Sequence, residues 1–176
     1  MASLGTRMIG AARLDAGTYE EVEADSGATG QATLVVVLSS LCIAIGAQLY
    51  SGVGGVLGVL VFRLVAWWIW AVVTWLVGTR LLPGPATQAD VGQLLRTLGF
   101  ASAPGIAGIL GVVPGLQGVV PMVVSLWMLA AMVVAVRQAL DYDSTGRAVA
   151  VVVVGFLAYL LVAVVLVSVF VGAPTP

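Results

Sequence analysis

Between Thr97 and Tyr142 the chain reads TLGFASAPGIAGILGVVPGLQGVVPMVVSLWMLAAMVVAVRQALDY, an apolar stretch that prolines and glycines interrupt before it runs on unbroken. It reads as a short, irregular membrane crossing followed by a regular one. Backbone polar groups in hydrocarbon find no water, so Pro104, Pro114 and Pro121 at membrane depth require neighbouring helices around them. The rest of the chain must supply that bundle, and its composition allows it. Of 176 residues, 61% are hydrophobic and 9% charged, with a mean hydropathy of +1.14, far outside the range of soluble domains.

The residue types that are missing exclude most chemistry. All seven Lys+Arg positions are arginine and histidine is absent, which removes a phosphate-loop lysine, a Schiff base, a Ser-Lys dyad, a Ser-His triad and an imidazole ligand. No catalytic residue, metal ligand or cofactor motif is assigned. Ser102, Thr74 and Cys42, the best nucleophiles within apolar segments, have no base. Cys42 has no partner for an internal disulfide and reads as a small packing residue. A net charge of −1 gives no basic field, so nucleic acid is not an expected partner.

Residues 1–31 are too polar for a signal peptide, because Arg7 and Arg13 are followed by Glu20, Glu21, Glu23 and Asp25. Leu4, Met8, Ala11 and Ala12 share a helical face with Arg7 and Asp15 off it, the pattern of a short amphipathic helix in the headgroup region. A second helix is expected to start at Thr18, where Thr18-Tyr19-Glu20-Glu21 has capping-box spacing. The alternative is a pair of solvated or unformed helices, since short isolated helices are marginal.

A bilayer core of about 30 Å takes roughly 20 apolar residues. The sequence predicts an all-α integral membrane bundle of five transmembrane helices, near 32–50, 56–82, 98–113, 119–140 and 148–172, with a short tail at 173–176. The third is short and broken by proline and glycine; its alternative is a re-entrant hairpin. Five crossings put Arg7, Arg13, Arg80, Arg96, Arg137 and Arg147 on one side and leave the loops near 51–55 and 114–118 without arginine. By the positive-inside rule the N-terminus is then cytoplasmic and the C-terminus external, in a multi-pass protein of the cell membrane.

Arg63 is the exception, an arginine inside the second segment that costs about 2.5–3.5 kcal/mol at mid-bilayer. Trp67 and Trp70 follow at helical spacing and form with it a candidate polar intramembrane site with cation–π contact. The competing reading is an arginine that snorkels to the interface. Glycines at 52, 54, 55 and 58, and at 105, 108, 111, 115 and 118, permit close helix approach, with Gly54 and Gly58 matching GxxxG. Met122, Met128, Met132 and Trp127 read as gap-fillers. Asp141 to Thr145 spells DxDxT, but a membrane helix precedes it and no lysine accompanies it. As a calcium loop it fails at Val152, where the closing carboxylate belongs. It reads instead as a short loop in which Arg137 and Asp141 pair at i,i+4 and Asp143 or Ser144 caps the last helix.

Taken together, these features resemble the Yip family of Ypt/Rab-interacting membrane proteins, in its bacterial branch. The resemblance rests on the acidic lead, the five apolar segments, Gly99-Phe100-Ala101-Ser102-Ala103-Pro104 opening the third, and Ala135-Val136-Arg137-Gln138-Ala139-Leu140-Asp141 ending the fourth. Gly99, Phe100 and Pro104 are similar to the family's glycine-tyrosine motif, with Phe100 in place of tyrosine. The DLxGP element of eukaryotic members is absent. The resemblance implies five spans, a cytoplasmic N-terminus and a non-enzymatic protein that acts through protein contacts or membrane organisation. Expected partners are the lipid bilayer and a membrane protein or a second copy of the chain. The alternative is a small transporter or channel component using the broken third segment and Arg63.

Overall fold

The structure, a computed structural model, describes residues 2–47 and 52–171, leaving out the side chains at 52–54, 162–163 and 165–171. The described residues form no strand. The helices are α1 (Leu4–Ala12), α2 (Ala16–Ala24), α3 (Thr29–Gly46), α4 (Gly52–Leu76), α5 (Val91–Phe100), α6 (Val119–Ala139) and α7 (Thr145–Val171). A 3₁₀ turn precedes α3, a π segment (Val77–Leu81) closes α4, and a 3₁₀ run (Ala103–Val112) follows α5. Four helical runs, Ser26–Gly46, Gly55–Leu81, Val91–Val112 and Val119–Ala139, are long and apolar enough to cross a bilayer, and Thr145–Leu161 is a shorter apolar helix. The end of the expected first span at 48–50, residue 172 of the expected fifth and the tail at 173–176 lie outside the described residues.

Local capping sets the helix starts. Asp15 accepts from Thr18 N at 2.9 Å and Thr18 Oγ1 at 2.6 Å, so α2 begins at Ala16, before the expected start at Thr18. At α5, Asp90 Oδ1 accepts from Gln93 N at 2.8 Å while Gln93 Oε1 accepts from Asp90 N at 2.7 Å, a reciprocal capping box. The helix therefore begins at Val91, ahead of Leu98, where the apolar run alone placed it. It ends at Phe100 for a steric reason. In an α-helix the Pro104 ring would clash with the carbonyl four residues back, which is that of Phe100.

Beyond the break the chain winds tighter. A 3₁₀ run of 10 residues is longer than usual, and at about 2.0 Å rise per residue it reaches further than an α-helix of equal length. Val91–Val112 thereby covers about 35–40 Å, enough to cross a bilayer core. Three residues per turn also align Gly105, Gly108 and Gly111 along one edge. The run ends in a type II turn, with Leu116 N bonded to Val113 O at 3.0 Å, Pro114 second and Gly115 at φ +88°. Pro121 falls in the first turn of α6, where its missing N–H costs nothing. Of the three prolines expected to need shelter, only Pro104 is buried; Pro114 and Pro121 are exposed.

The core is built on Val35, Leu94, Leu98, Phe100, Val136, Leu140 and Val151, all buried. Large apolar side chains on α4, α6 and α7, among them Phe62, Trp68, Leu126 and Leu157, are exposed. In water such a surface would be a liability; in hydrocarbon it is the expected exterior.

Candidate functional site

The N-terminal helices fold into a hairpin that docks on the bundle through two buried arginines. Arg7 is 2% exposed, contrary to the helical-face pattern that placed it off the apolar side. Its Nη2 lies 2.9 Å from Glu21 Oε1 and 2.8 Å from Asp25 Oδ2, and its Nη1 donates to Gln31 Oε1 at 3.0 Å. One side chain thus ties α1 to α2 and to the start of α3. Burial alone would lower the Arg7 pKa, but its hydrogen bonds to Asp25 and Glu21 outweigh that and raise it. The same bonds hold both carboxylates below their ordinary range. Tyr19 is fully buried and donates to Ala11 O at 3.1 Å, closing the hairpin.

Arg96, on α5, secures the other end of α2. Its Nε lies 3.1 Å from both Val22 O and Glu23 O, and its Nη2 also donates to Glu23 O, so the guanidinium caps the carbonyl end of α2 where the helix dipole favours a cation. Gln93 Nε2 donates to Glu23 Oε1 at 2.9 Å and Gln138 Nε2 to Glu20 Oε1 at 2.8 Å. Burial first, then the nearby charge of Asp141, pushes the Glu23 pKa up to about 7, with Arg96 opposing. Further along α6, Trp127 Nε1 donates to Ala12 O at 2.7 Å, so this half-exposed ring caps α1 rather than filling a gap.

The α6–α7 loop joins the same end. Asp141 N bonds Gln138 O and Tyr142 N bonds Arg137 O, each at 2.9 Å, a Schellman closure with Asp141 at φ +50° where glycine is usual. The expected Arg137–Asp141 pair is not formed. Arg137 instead donates to Tyr142 O at 3.2 Å, Thr145 Oγ1 at 3.3 Å and Asp143 O at 3.4 Å. Tyr142 OH lies 3.0 Å from Gly78 O and 2.6 Å from Leu82 O, serving carbonyls that the π segment leaves over. Thr87 Oγ1 donates to Leu140 O at 2.8 Å. The end of α4, the start of α5, the loop after α6 and the hairpin are thereby one connected polar end.

Between the helices lies a half-open cavity of about 820 Å³ that draws its walls from α3, α4, the α5 to 3₁₀ segment, α6 and α7. Arg63, Trp67 and Trp70 all line it, so the three residues read from helical spacing do meet at one space. Met128 and Met132 line it as well, while Met122 faces outward, 59% exposed. Among the described residues the cation–π contact is Arg147 over Tyr142, at 5.7 Å, and Arg63 has none. Trp70 meets Tyr159 edge to face, 5.9 Å between centroids.

The Gly99–Pro104 element forms a seam with α3, Ala32 facing Gly99, Ser39 facing Gly105 and Gly46 facing Gly111, so the two chains run parallel. A β-carbon at Gly99 would lie 2.8 Å from Ala32 Cβ, and one at Gly111 would lie 2.7 Å from Gly46 O. At Gly46 it would overlap the Gly108 carbonyl. Phe100 and Pro104 are buried behind the seam. Gly105, Gly108 and Gly111 were legible as close-approach residues, whereas Gly58, Gly115 and Gly118, expected to act alike, would meet nothing within 4 Å; the register was not legible, because it depends on the 3₁₀ winding.

Against known proteins, the family model of the Yip1 domain matches residues 16–166, from the start of α2 into α7. No curated protein and no solved structure matches the chain. With apolar helices of membrane-crossing length over most of its residues, this chain belongs to the Yip1 domain family and is a multi-pass membrane protein.

Proposed function

We propose that this chain is a non-enzymatic Yip-family protein of the bacterial branch that organises membrane partners through the polar end of its bundle. The observation that carries this reading is the docked N-terminal hairpin. Arg7 and Arg96 fix α1 and α2 against the bundle, and exposed Glu20, Asp90, Asp141, Asp143 and Arg147 surround that attachment. A rigid face of both charges favours a specific protein contact over general adhesion.

Five crossings complete the proposal, with residues 1–31 as a cytoplasmic segment, 32–172 as the transmembrane domain and 173–176 as an external tail. Arg80, Arg96, Arg137 and Arg147 belong to the elements that meet at the polar end, whereas the turn at 113–116 carries no arginine, the distribution of an inside face. In this reading Gly99, Phe100 and Pro104 hold the seam, and Arg137 and Asp141 shape the loop. A photoactivatable residue at Asp143 tests the proposal in native membranes. Discrete protein adducts, including adducts with a second copy, are expected; adducts with lipid alone would contradict it.

The half-open cavity and the 3₁₀ run favour a second reading, a small transporter or channel component, because irregular backbone at membrane depth commonly lines a cavity. Solute flux in liposomes that is unchanged by Arg63→Ala and Arg63→Gln would remove it.

A further inference from the structure

The half-open cavity has an uneven chemistry that follows the order of groups along a phospholipid. Its volume of about 820 Å³ lies within the range of small-molecule pockets, about 300–1,000 Å³. Most of its wall is apolar, including Ile43, Met128, Met132 and Phe156. Arg63 lines it together with Gly46, Ala47 and Pro121, and is exposed with no ion pair among the described residues. The eight acidic residues lie at 15–25, 90, 141 and 143, none of them in an element that brings it to Arg63. An arginine so placed in hydrocarbon calls for an anion.

Deeper along the same face the rings of Trp67 and then Trp70 line the wall, their Nε1 atoms buried away from the space with no hydrogen-bond partner. At 1.5 Å rise per residue, Trp67 lies roughly 6 Å and Trp70 roughly 10 Å along α4 from Arg63. Phosphate, glycerol backbone and acyl chain occur in that order and at similar spacing in a glycerophospholipid.

We propose that this cavity binds one anionic phospholipid, its phosphate at Arg63, its glycerol backbone against the Trp67 ring and an acyl chain filling the apolar space beyond. Bilayer residence is assumed; partner binding at the polar end is not, so the two proposals stand or fall separately. The occupant would be held as a structural ligand.

The full chain in non-ionic detergent is titrated with phosphatidylglycerol or with phosphatidylcholine of the same acyl chains, and bound lipid is counted by native mass spectrometry. The wild type is expected to hold one phosphatidylglycerol at least tenfold more tightly than phosphatidylcholine. Arg63→Ala and Arg63→Gln lose that preference, Ala66→Phe loses occupancy by filling the wall, and Arg80→Ala, at the polar end, keeps both. Equal affinity for the two lipids, wild-type binding by the Arg63 variants, or competition by inorganic phosphate alone would overturn the proposal. If Ala66→Phe loses its helical circular dichroism, Arg63→Gln, which keeps the stem and removes the charge, decides.

Discussion

Adding a single methyl group at Gly46 tests whether the α3 seam is as close as the geometry requires. The β-carbon of Gly46→Ala would occupy the space of the Gly108 carbonyl oxygen, and both neighbours are backbone, which cannot rotate away. Relief requires the two chains to separate along the seam, loosening Ser39 from Gly105 and Ala32 from Gly99. Overpacking of this kind costs about 1–3 kcal/mol. Alanine returns up to about 0.5–1 kcal/mol of helix propensity, leaving a net loss of about 1–2 kcal/mol. Gly58→Ala is the control, since a β-carbon there meets nothing within 4 Å and only the propensity gain of about 0.5–1 kcal/mol applies. Denaturation in mixed micelles with rising SDS, followed by far-UV circular dichroism, should separate the two variants by about 1.5–3 kcal/mol in opposite directions from wild type. Gly46→Ala as stable as Gly58→Ala would refute the close parallel seam.

Arg7→Met keeps the apolar stem but strands Glu21 and Asp25, which are 42% and 19% exposed; the loss should be about 2–3 kcal/mol, below the 3–5 of a fully buried pair. It should appear as faster amide exchange at Tyr19 and Val22 while α6 stays protected. Asp141→Gly removes a side chain from a left-handed position and should raise stability by roughly 1 kcal/mol; no change in the SDS midpoint would count against the Schellman closure. Glu23 has a folded pKa raised to about 7, so the folded state holds the proton that the unfolded state releases near 4.3. Its contribution is full below that lower value and lost as pH rises through 7. Hairpin docking should therefore weaken between about pH 4.5 and 7.5, and Glu23→Gln should abolish that slope. A wild-type slope retained in Glu23→Gln would reject the assignment.

The membrane class was legible because composition and run length suffice to show it, and the grouping of Arg63, Trp67 and Trp70 was legible because one helix carries all three. What periodicity could not show was tertiary pairing. Arg7 looked solvated on its own helix because its partners Glu21, Asp25 and Gln31 lie on other elements. Gln93 and Arg96 made the start of α5 look too polar to join the third segment, yet α2 absorbs both. The Asp90–Gln93 capping box could have been found from its spacing, three residues apart ahead of an apolar run. The Ala12 contact of Trp127 had no sequence signal, since a carbonyl acceptor is present at every residue.

The account turns on the polar end and the 113–116 turn lying on opposite sides of the membrane. With Cys42 replaced by alanine, single cysteines at Ser144 and at Gln117 are exposed to a membrane-impermeant maleimide in intact cells and after permeabilisation. The expected result is Gln117→Cys labelled from outside and Ser144→Cys labelled only once the membrane is opened. Labelling of Ser144→Cys in intact cells, alone or together with Gln117→Cys, would contradict the inside-facing polar end.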